Sequence, residues 1–138
     1  MILDLIKISL TFDDKTLFNN VSLTINQGDF IIIRGASGSG KSSFLRLLNR
    51  LTEPSSGTIS SDGSTVTNTE VTTYRRRVGY VQQTPILISG TVVENLTLPY
   101  KYKSATTDTP DRSRLEADME SFNLDDVKLD DLADNLSV

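Results

Sequence analysis

Residues 30–43 read FIIIRGASGSGKSS, and this stretch decides the fold of the chain. Its first four residues, 30–33, are all apolar and predict a short strand buried on both faces. After Arg34, residues 35–42 match the phosphate-binding pattern GxxxxGK[ST]. Apolar residues then recur every three or four positions and predict an amphipathic helix: Phe44, Leu45, Leu47, Leu48 and Leu51. A strand, a glycine-rich loop and a helix in this order predict a site for a nucleoside triphosphate.

Each residue type in this phosphate loop, residues 35–42, suits the chemistry of phosphate. Gly35, Gly38 and Gly40 can take backbone angles that turn successive N–H groups inward around phosphate oxygens. The anion then meets the positive end of the helix dipole. We expect Lys41 to reach the β- and γ-phosphates and the Ser42 hydroxyl to take one coordination position on Mg²⁺. A flexible Ser/Gly linker would not be flanked by a strand and a leucine-rich helix.

The composition excludes several classes of site. The chain has 138 residues, one domain or part of a larger protein, and its 37% of hydrophobic residues can form a core. It contains no cysteine and no histidine, which excludes disulfides, thiolate metal sites and imidazole catalysis. No apolar run approaches the length of a membrane span and the N-terminus lacks a secretory signal, so we expect a soluble, intracellular chain. The net charge of −4, without a basic stripe, argues against nucleic acid as a partner.

Alternating residues before the phosphate loop predict antiparallel hairpins. Ile6, Ile8, Leu10 and Phe12 alternate with polar residues, and residues 21–25 repeat this pattern, so both segments are predicted to be half-buried strands. Turn-forming residues follow each of them, at 13–15 and 26–29. A turn at 54–57, a strand at 58–60 and a second turn at Asp62-Gly63 predict another hairpin edge.

Two further helices and one strand are predicted after this hairpin. Residues 71–77 are predicted to be helical and to lead into a strand at 78–81. The three arginines at 75–77 are interpreted as a solvated helix end rather than as phosphate ligands. Thr109-Pro110 predicts the start of a helix with one apolar stripe, formed by Leu115, Met119 and Phe122.

Beyond the loop, the arrangement resembles the nucleotide-binding ATPase subunits of ABC transporters, over nearly the whole chain. Phe12 stands 23 positions before Gly35, where this family places the aromatic side chain that stacks on adenine. A ring packed in the core at the end of a strand is the alternative, because both roles use the same side chain. The turn and strand at 53–59 resemble the β-subdomain of the family.

Later segments follow the order of the same family. Residues 78–83, VGYVQQ, resemble the strand that leads into its Q-loop. Alignment on Val81 makes Gln83 the Q-loop glutamine, whose amide oxygen can ligate Mg²⁺, with Gln82 as the alternative. Residues 89–96 resemble the segment that opens the helical subdomain. Residues 136–138, LSV, resemble the first three residues of the LSGGQ-type signature.

The resemblance implies an α/β fold: a P-loop NTPase of the ABC-ATPase type with an antiparallel β-subdomain, part of the parallel core sheet and the start of the helical subdomain. Residues 1–90 would form the N-terminal part of the ATPase core with the P-loop and Q-loop, and residues 91–138 a partial helical subdomain ending inside the signature. The 138 residues lack the family's Walker B strand, catalytic Glu and switch His. We therefore expect an incomplete core sheet with an exposed apolar edge, and self-association of the chain.

The implied site is a nucleotide cradle with a metal position and no catalytic residue. Its nucleotide-binding residues would be Phe12, Gly35, Ala36, Ser37, Gly38, Ser39, Gly40, Lys41, Ser42, Ser43 and Gln83. Ser42 and Gln83 would also bind Mg²⁺. We expect ATP and Mg²⁺ to bind and hydrolysis by this chain alone to be weak or absent, because the group that positions the attacking water is missing.

The implied function is that of the ATP-binding subunit of an ABC transporter, which couples ATP binding and hydrolysis to transport across a membrane. In the complete protein its partners would be an integral membrane permease subunit and a second ABC subunit, and it would lie in the cytoplasm against the inner face of the membrane. The run from Gln83 to Tyr100 is similar to the ATPase of iron-export transporters. Two alternatives are a soluble ABC protein of translation or DNA repair and the nonfunctional product of an interrupted gene.

Overall fold

The computed structural model describes residues 2–102, 105 and 107–136, and internal contacts divide the chain into two units, Met1–Val81 and Gln82–Val138. The first unit contains the hairpins and the phosphate loop, and the second contains the segments assigned to the helical subdomain. The boundary between residues 90 and 91, which follows from the family resemblance, stays a prediction.

The first unit is built on a four-stranded antiparallel sheet in the order β2-β1-β3-β4. The strands are β1 (Leu3–Phe12), β2 (Lys15–Ile25), β3 (Ser56–Ser61) and β4 (Ser64–Thr65). The predicted antiparallel hairpins are therefore confirmed, and the turn between β1 and β2 places Asp13 in the left-handed region, with φ 49°. The short polar side chain of Asp13 suits this turn, since such residues tolerate the left-handed conformation.

A bulge interrupts the alternation of β1. Its pairing with β3 passes from Ile6↔Thr58 to Ser9↔Ser56, so two residues of β1 face the single residue Gly57. Lys7 has φ 51°, and the extra residue turns Ile6 outward while Ile8 stays buried. The prediction that Ile6 and Phe12 share the buried face with Ile8 is wrong, because the bulge changes the phase and the hairpin end exposes Phe12.

The helix predicted after the phosphate loop is present as α1 (Lys41–Leu48). Leu47 is fully buried against the sheet, and Phe44 and Leu48 pack beside it. Leu45 and Leu51 are exposed, so only part of the predicted apolar stripe faces the core. The buried residues of this core are Leu3, Leu5, Ile8, Leu10, Leu47, Ile59, Val66 and Tyr74.

Helix α2 (Val71–Arg77) has the bounds that the sequence predicts, and it is tied to the end of α1. The Tyr74 hydroxyl donates to the Leu48 carbonyl at 2.6 Å, and the Arg75 guanidinium donates to the carbonyls of Asn49 and Arg50. Arg75 is therefore not a solvated helix end. It satisfies carbonyl groups that the end of α1 leaves without helical partners.

Two predicted strands are not formed, residues 30–33 and 78–81. The side chain of Phe30 is 89% exposed and that of Val81 is 94% exposed. A strand that is apolar on both faces needs neighbours at its edges and cover on its faces, and the described residues supply neither. Val78 instead ends α2: its N–H donates to the Tyr74 carbonyl and its own carbonyl accepts from the Asn49 amide.

The second unit contains α3 (Val92–Thr97) and α4 (Arg112–Ser121), around a core of Val92, Leu115, Met119 and Leu129. Helix α4 begins after Asp111, whose carboxylate accepts from the Arg114 N–H at 2.8 Å, rather than at the predicted Thr109-Pro110. The helix therefore starts at the residue whose side chain caps it, and not at the proline before that residue. Phe122 is exposed, because the helix ends before it.

Throughout the described ranges, no helix is long and apolar enough to cross a membrane.

Gly57 provides a test of the bulge. A β-carbon at this position would lie 2.4 Å from the Lys7 carbonyl oxygen and 2.6 Å from that of Ile6, and φ is 92°. We expect Gly57→Ala to lower the free energy of unfolding by at least about 2 kcal/mol, because neither backbone atom can move freely. Gly63→Ala is the matched control, since φ is 80° but nothing lies within 4 Å, and should cost only about 1 kcal/mol. Urea denaturation followed by circular dichroism measures the free energy of unfolding of both variants. Equal decreases would contradict the predicted clash between a β-carbon at position 57 and the backbone of β1.

Glu70 gives a test based on pH. Its carboxylate caps α2, and hydrogen bonds from the Thr72 side chain and from the backbones of Thr72 and Thr73 lower its pKa from 4.5 to about 2. A pKa depressed in the folded state contributes stability that is complete above pH 4.5 and is lost as the pH falls toward 2. Glu70→Gln should therefore be less stable than wild type at pH 7, and the difference should shrink toward pH 2.

Glu120→Gln is the control for this measurement, since Glu120 is an exposed carboxylate of α4 that caps no helix. Urea midpoints at pH 7, 4 and 2.5 give the comparison. A difference between Glu70→Gln and wild type that is the same at every pH would show that the carboxylate charge does not stabilise the cap.

Candidate functional site

The phosphate loop ends in a helix start without a side-chain cap. Gly40 occupies the cap position of α1 with φ 91°, and no side chain accepts from the first turn. Gly38 also has positive φ, 74°, and the first helical bond runs from the Phe44 N–H to the Gly40 carbonyl at 2.8 Å. The first N–H groups of a helix otherwise lack partners, and they carry the positive end of its dipole. The loop therefore fits a phosphate group.

Lys41 is held by the loop that precedes it. Its ammonium donates to the carbonyl oxygens of Gly35 at 2.9 Å and Ala36 at 2.7 Å, so the loop curls around the charge. An ammonium group has three N–H donors, and these bonds use two of them. The loop itself is narrow, because a β-carbon on Gly35 would lie 2.7 Å from the Ser39 hydroxyl.

Strand β2 packs against the end of the phosphate loop and the start of α1. The Phe18 and Phe44 rings meet edge to face, with centroids 5.7 Å apart and planes at 77°. A β-carbon on Gly40 would lie 3.2 Å from that of Leu17. Sequence reasoning did not identify Leu17 or Phe18. Their one signal is that two adjacent apolar residues break the alternation of β2.

Phe12 lies at the last position of β1, opposite Lys15 in the hairpin. Its side chain is 48% exposed and is not part of the buried core, so the alternative of a core aromatic is wrong. A half-exposed ring has a face available for stacking. Its role toward a base stays a prediction.

The predicted metal position combines residues from the two units. Ser42 is exposed in the first turn of α1, whereas Gln82 and Gln83 are exposed in an irregular segment at the start of the second unit. Their joint binding of Mg²⁺ therefore stays a prediction. Within the described part of the chain, no group of three or more His, Cys, Asp or Glu side chains could hold a metal ion.

The segment predicted to open the helical subdomain has a well-defined local structure. Thr91 and Glu94 form a capping box at the start of α3, and hydrogen bonds from Thr91 lower the pKa of the Glu94 carboxyl. The Asn95 side chain accepts from the Ile88 N–H at 2.8 Å and donates to the Ile88 carbonyl at 2.9 Å. Leu136 packs on the core of this unit, whereas Ser137 and Val138 of the signature-like run lie outside the described residues.

Comparison with known proteins agrees with this arrangement. The profile of the family described as "ABC transporter" matches residues 18–138. "ABC transporter I family member 17" of Arabidopsis thaliana is 45% identical over 84 residues, which are 61% of this chain and 32% of that protein. The "Probable iron export ATP-binding protein FetA" of Escherichia coli (strain K12) is 36% identical over 95 residues, 69% of this chain and 42% of that protein.

A solved structure gives the same result. The chain titled "Structure of a bacterial Atm1-family ABC exporter with ATP bound" superposes with a TM-score of 0.76 at 26% identity, covering 91% of this chain and 21% of that chain. The matched region thus spans less than half the length of these relatives.

The packing of α1 provides a test of how the loop is positioned. Phe44→Ala removes the edge-to-face contact with Phe18 and part of the core. We expect it to lower the free energy of unfolding by about 2 kcal/mol. Leu45→Ala, on the exposed side of the same helix, should cost less than about 1 kcal/mol. Urea denaturation measures both, and equal costs would contradict the assigned orientation of α1.

Proposed function

Because this chain belongs to the ABC transporter family, we propose that it binds ATP with Mg²⁺ as the ATP-binding subunit of an exporter-type transporter. The observation that carries this proposal is the phosphate loop, which combines an uncapped helix start at Gly40 with the ammonium of Lys41. Both features favour an anion, and the solved relative is titled with ATP bound. No observation favours the alternative of a soluble protein of translation or DNA repair.

The residues of the loop have separate roles in this proposal. The N–H groups at 38 and 40–43 would hold the phosphate oxygens, since that of Ser39 donates to the Ala36 carbonyl at 3.3 Å. Lys41 would exchange its two carbonyl partners for oxygens of the β- and γ-phosphates. The Ser42 hydroxyl and the Gln83 amide would hold Mg²⁺, which neutralises charge on the phosphates when bound. Phe12 stacks on adenine with its exposed face.

Binding and turnover are expected to differ for a polypeptide of these 138 residues. The sequence has no histidine and no apolar run after Gln83 that ends in an Asp-Glu pair. Phosphoryl transfer to water requires a group that positions the nucleophile, and no such group is assigned in this chain. We propose that this polypeptide retains ATP and hydrolyses it weakly or not at all.

The partners proposed for the whole protein are a membrane permease and a second ABC subunit, on the cytoplasmic face of the membrane. The second unit offers a place for the permease: an apolar groove of about 160 Å³ lined by Leu87, Leu96 and Leu124, among others. The similarity to a protein named for iron export supports an iron-export transporter as the first subfamily to test.

Calorimetric titration of ATP with Mg²⁺ tests the nucleotide site. We expect wild type to bind and Lys41→Ala to lose at least about tenfold in affinity, because two hydrogen bonds to phosphate disappear. Lys128→Ala, which removes an exposed lysine of the second unit, should bind like wild type. Phosphate release measured in parallel should stay at background.

Two outcomes of this titration would contradict the proposal. Equal affinities of wild type and Lys41→Ala would show that the loop is not the binding site. Turnover that disappears in Lys41→Ala would overturn the expectation of weak hydrolysis while supporting the site.

A further inference from the structure

The end of the β1–β2 hairpin connects the two ends of the proposed nucleotide site. Phe12, the last residue of β1, carries the ring proposed to stack on the base. Gly40 stands at the other end, where α1 begins and its first N–H groups are proposed to hold phosphate. In ATP, the ribose and the α-phosphate join the base to the β- and γ-phosphates. A side chain that reaches the space between Phe12 and Gly40 would therefore face this middle part of the nucleotide.

Lys15 is the neighbour of Phe12 across the hairpin. The two residues are paired in the antiparallel register, and Asp13 and Asp14 form the turn between them. Directly opposite residues of an antiparallel pair project from the same face of the sheet, with Cβ atoms about 4.5–5.5 Å apart. Lys15 therefore lies on the same side of the hairpin as the ring proposed to stack on the base.

Lys15 is also close to the phosphate loop. Leu17 follows two residues later on β2, and a β-carbon on Gly40 would lie 3.2 Å from the Leu17 Cβ. Two residues of extended chain span at most about 7 Å, so the Cα atoms of Lys15 and Leu17 lie within this distance. An ammonium group on a flexible four-carbon stem can cover such a gap. The Lys15 ammonium is thus within reach of the space between Phe12 and the start of α1.

The charge of Lys15 is not taken up by the hairpin turn. Asp13 and Asp14 are exposed and precede Lys15 directly, yet no ion pair joins either carboxylate to Lys15 in the described part of the chain. Its three N–H donors are therefore available to a ligand. The two carboxylates repel an anion, and a cation on the same hairpin offsets this repulsion. Because the α-phosphate is charged and the ribose is neutral, an ammonium group favours the phosphate.

We propose that Lys15 is a further nucleotide-binding residue, whose ammonium donates to an oxygen of the α-phosphate and so fixes the base relative to the phosphate loop. The role of Lys15 depends on the proposed function, since it requires a nucleotide in that loop. Lys15 takes a different part of the ligand from Lys41, which is proposed to bind the β- and γ-phosphates. Because ADP and ATP share the α-phosphate, Lys15 contributes equally to the binding of both nucleotides.

Calorimetric titration with ATP and with ADP, each with Mg²⁺, tests this contact. We expect Lys15→Gln to weaken the binding of both nucleotides by about fivefold, since an exposed ion pair and its hydrogen bond are lost. Lys15→Arg should stay within about twofold of wild type, because the guanidinium keeps the charge and donates to phosphate. Lys7→Gln is the matched control. It removes an exposed lysine of the same hairpin, about 16 Å from Phe12 along β1, and should bind like wild type.

The dependence of affinity on salt separates a charge contact from a change in packing. Salt screens exposed charges, so the affinity of wild type should fall more steeply with rising NaCl than the affinity of Lys15→Gln. Lys7→Gln should keep the steepness of wild type. Circular dichroism checks that each variant is folded.

The outcomes distinguish this role from the nucleotide site itself. Where wild type binds ATP and Lys41→Ala binds it more weakly, the role of Lys15 is overturned by equal affinities of wild type and Lys15→Gln. It is also overturned by a loss confined to ATP, by equal losses in Lys15→Gln and Lys15→Arg, or by identical salt dependences. A wild type that binds ATP no better than Lys41→Ala would contradict the nucleotide site, and with it the role of Lys15.

Discussion

The contact between one face of α1 and the β1–β2 hairpin is the interaction on which the candidate site depends. An isolated helix of eight residues is unstable in water, because the cost of its first turn is not recovered over so short a length. Burial of Leu47 contributes about 1.5–3 kcal/mol, and the contact of Phe44 with Phe18 adds to it. The N–H groups of the phosphate loop thus owe their orientation to tertiary packing rather than to the loop sequence alone.

The other end of α1 is secured by α2. Tyr74 is buried in the core and binds the Leu48 carbonyl, while Arg75 binds the carbonyls of the two residues that follow. The helix is therefore fixed at its start by β2 and at its end by α2. Such support on both sides is what a loop needs to keep its donors aimed at one place.

Patterns that act over a few residues predicted the fold well. The hairpins, α1 and α2 depend on alternation, helical periodicity and turn residues, all of which can be read locally. The bulge opposite Gly57 and the unpaired segment 30–33 depend on which strands lie alongside, and one sequence does not contain that information. The same distinction holds at the site: the loop residues were found by pattern, whereas Leu17 and Phe18 contribute through contacts that span the fold. Phe12 and Gln83 came from the family resemblance, and their roles stay predictions.

The hydrogen bonds of Lys41 to the Gly35 and Ala36 carbonyls affect what an anion gains by binding to the loop. Two carbonyl dipoles already partly neutralise the ammonium, so an anion either takes its remaining N–H donor or displaces a carbonyl. An anion that offers a single contact gains little by displacing a carbonyl, because one hydrogen bond is exchanged for another. A triphosphate supplies several oxygens at once to the ammonium and to the N–H groups. If the loop binds nucleotides as proposed, this exchange would favour a polyphosphate over an anion that makes a single contact.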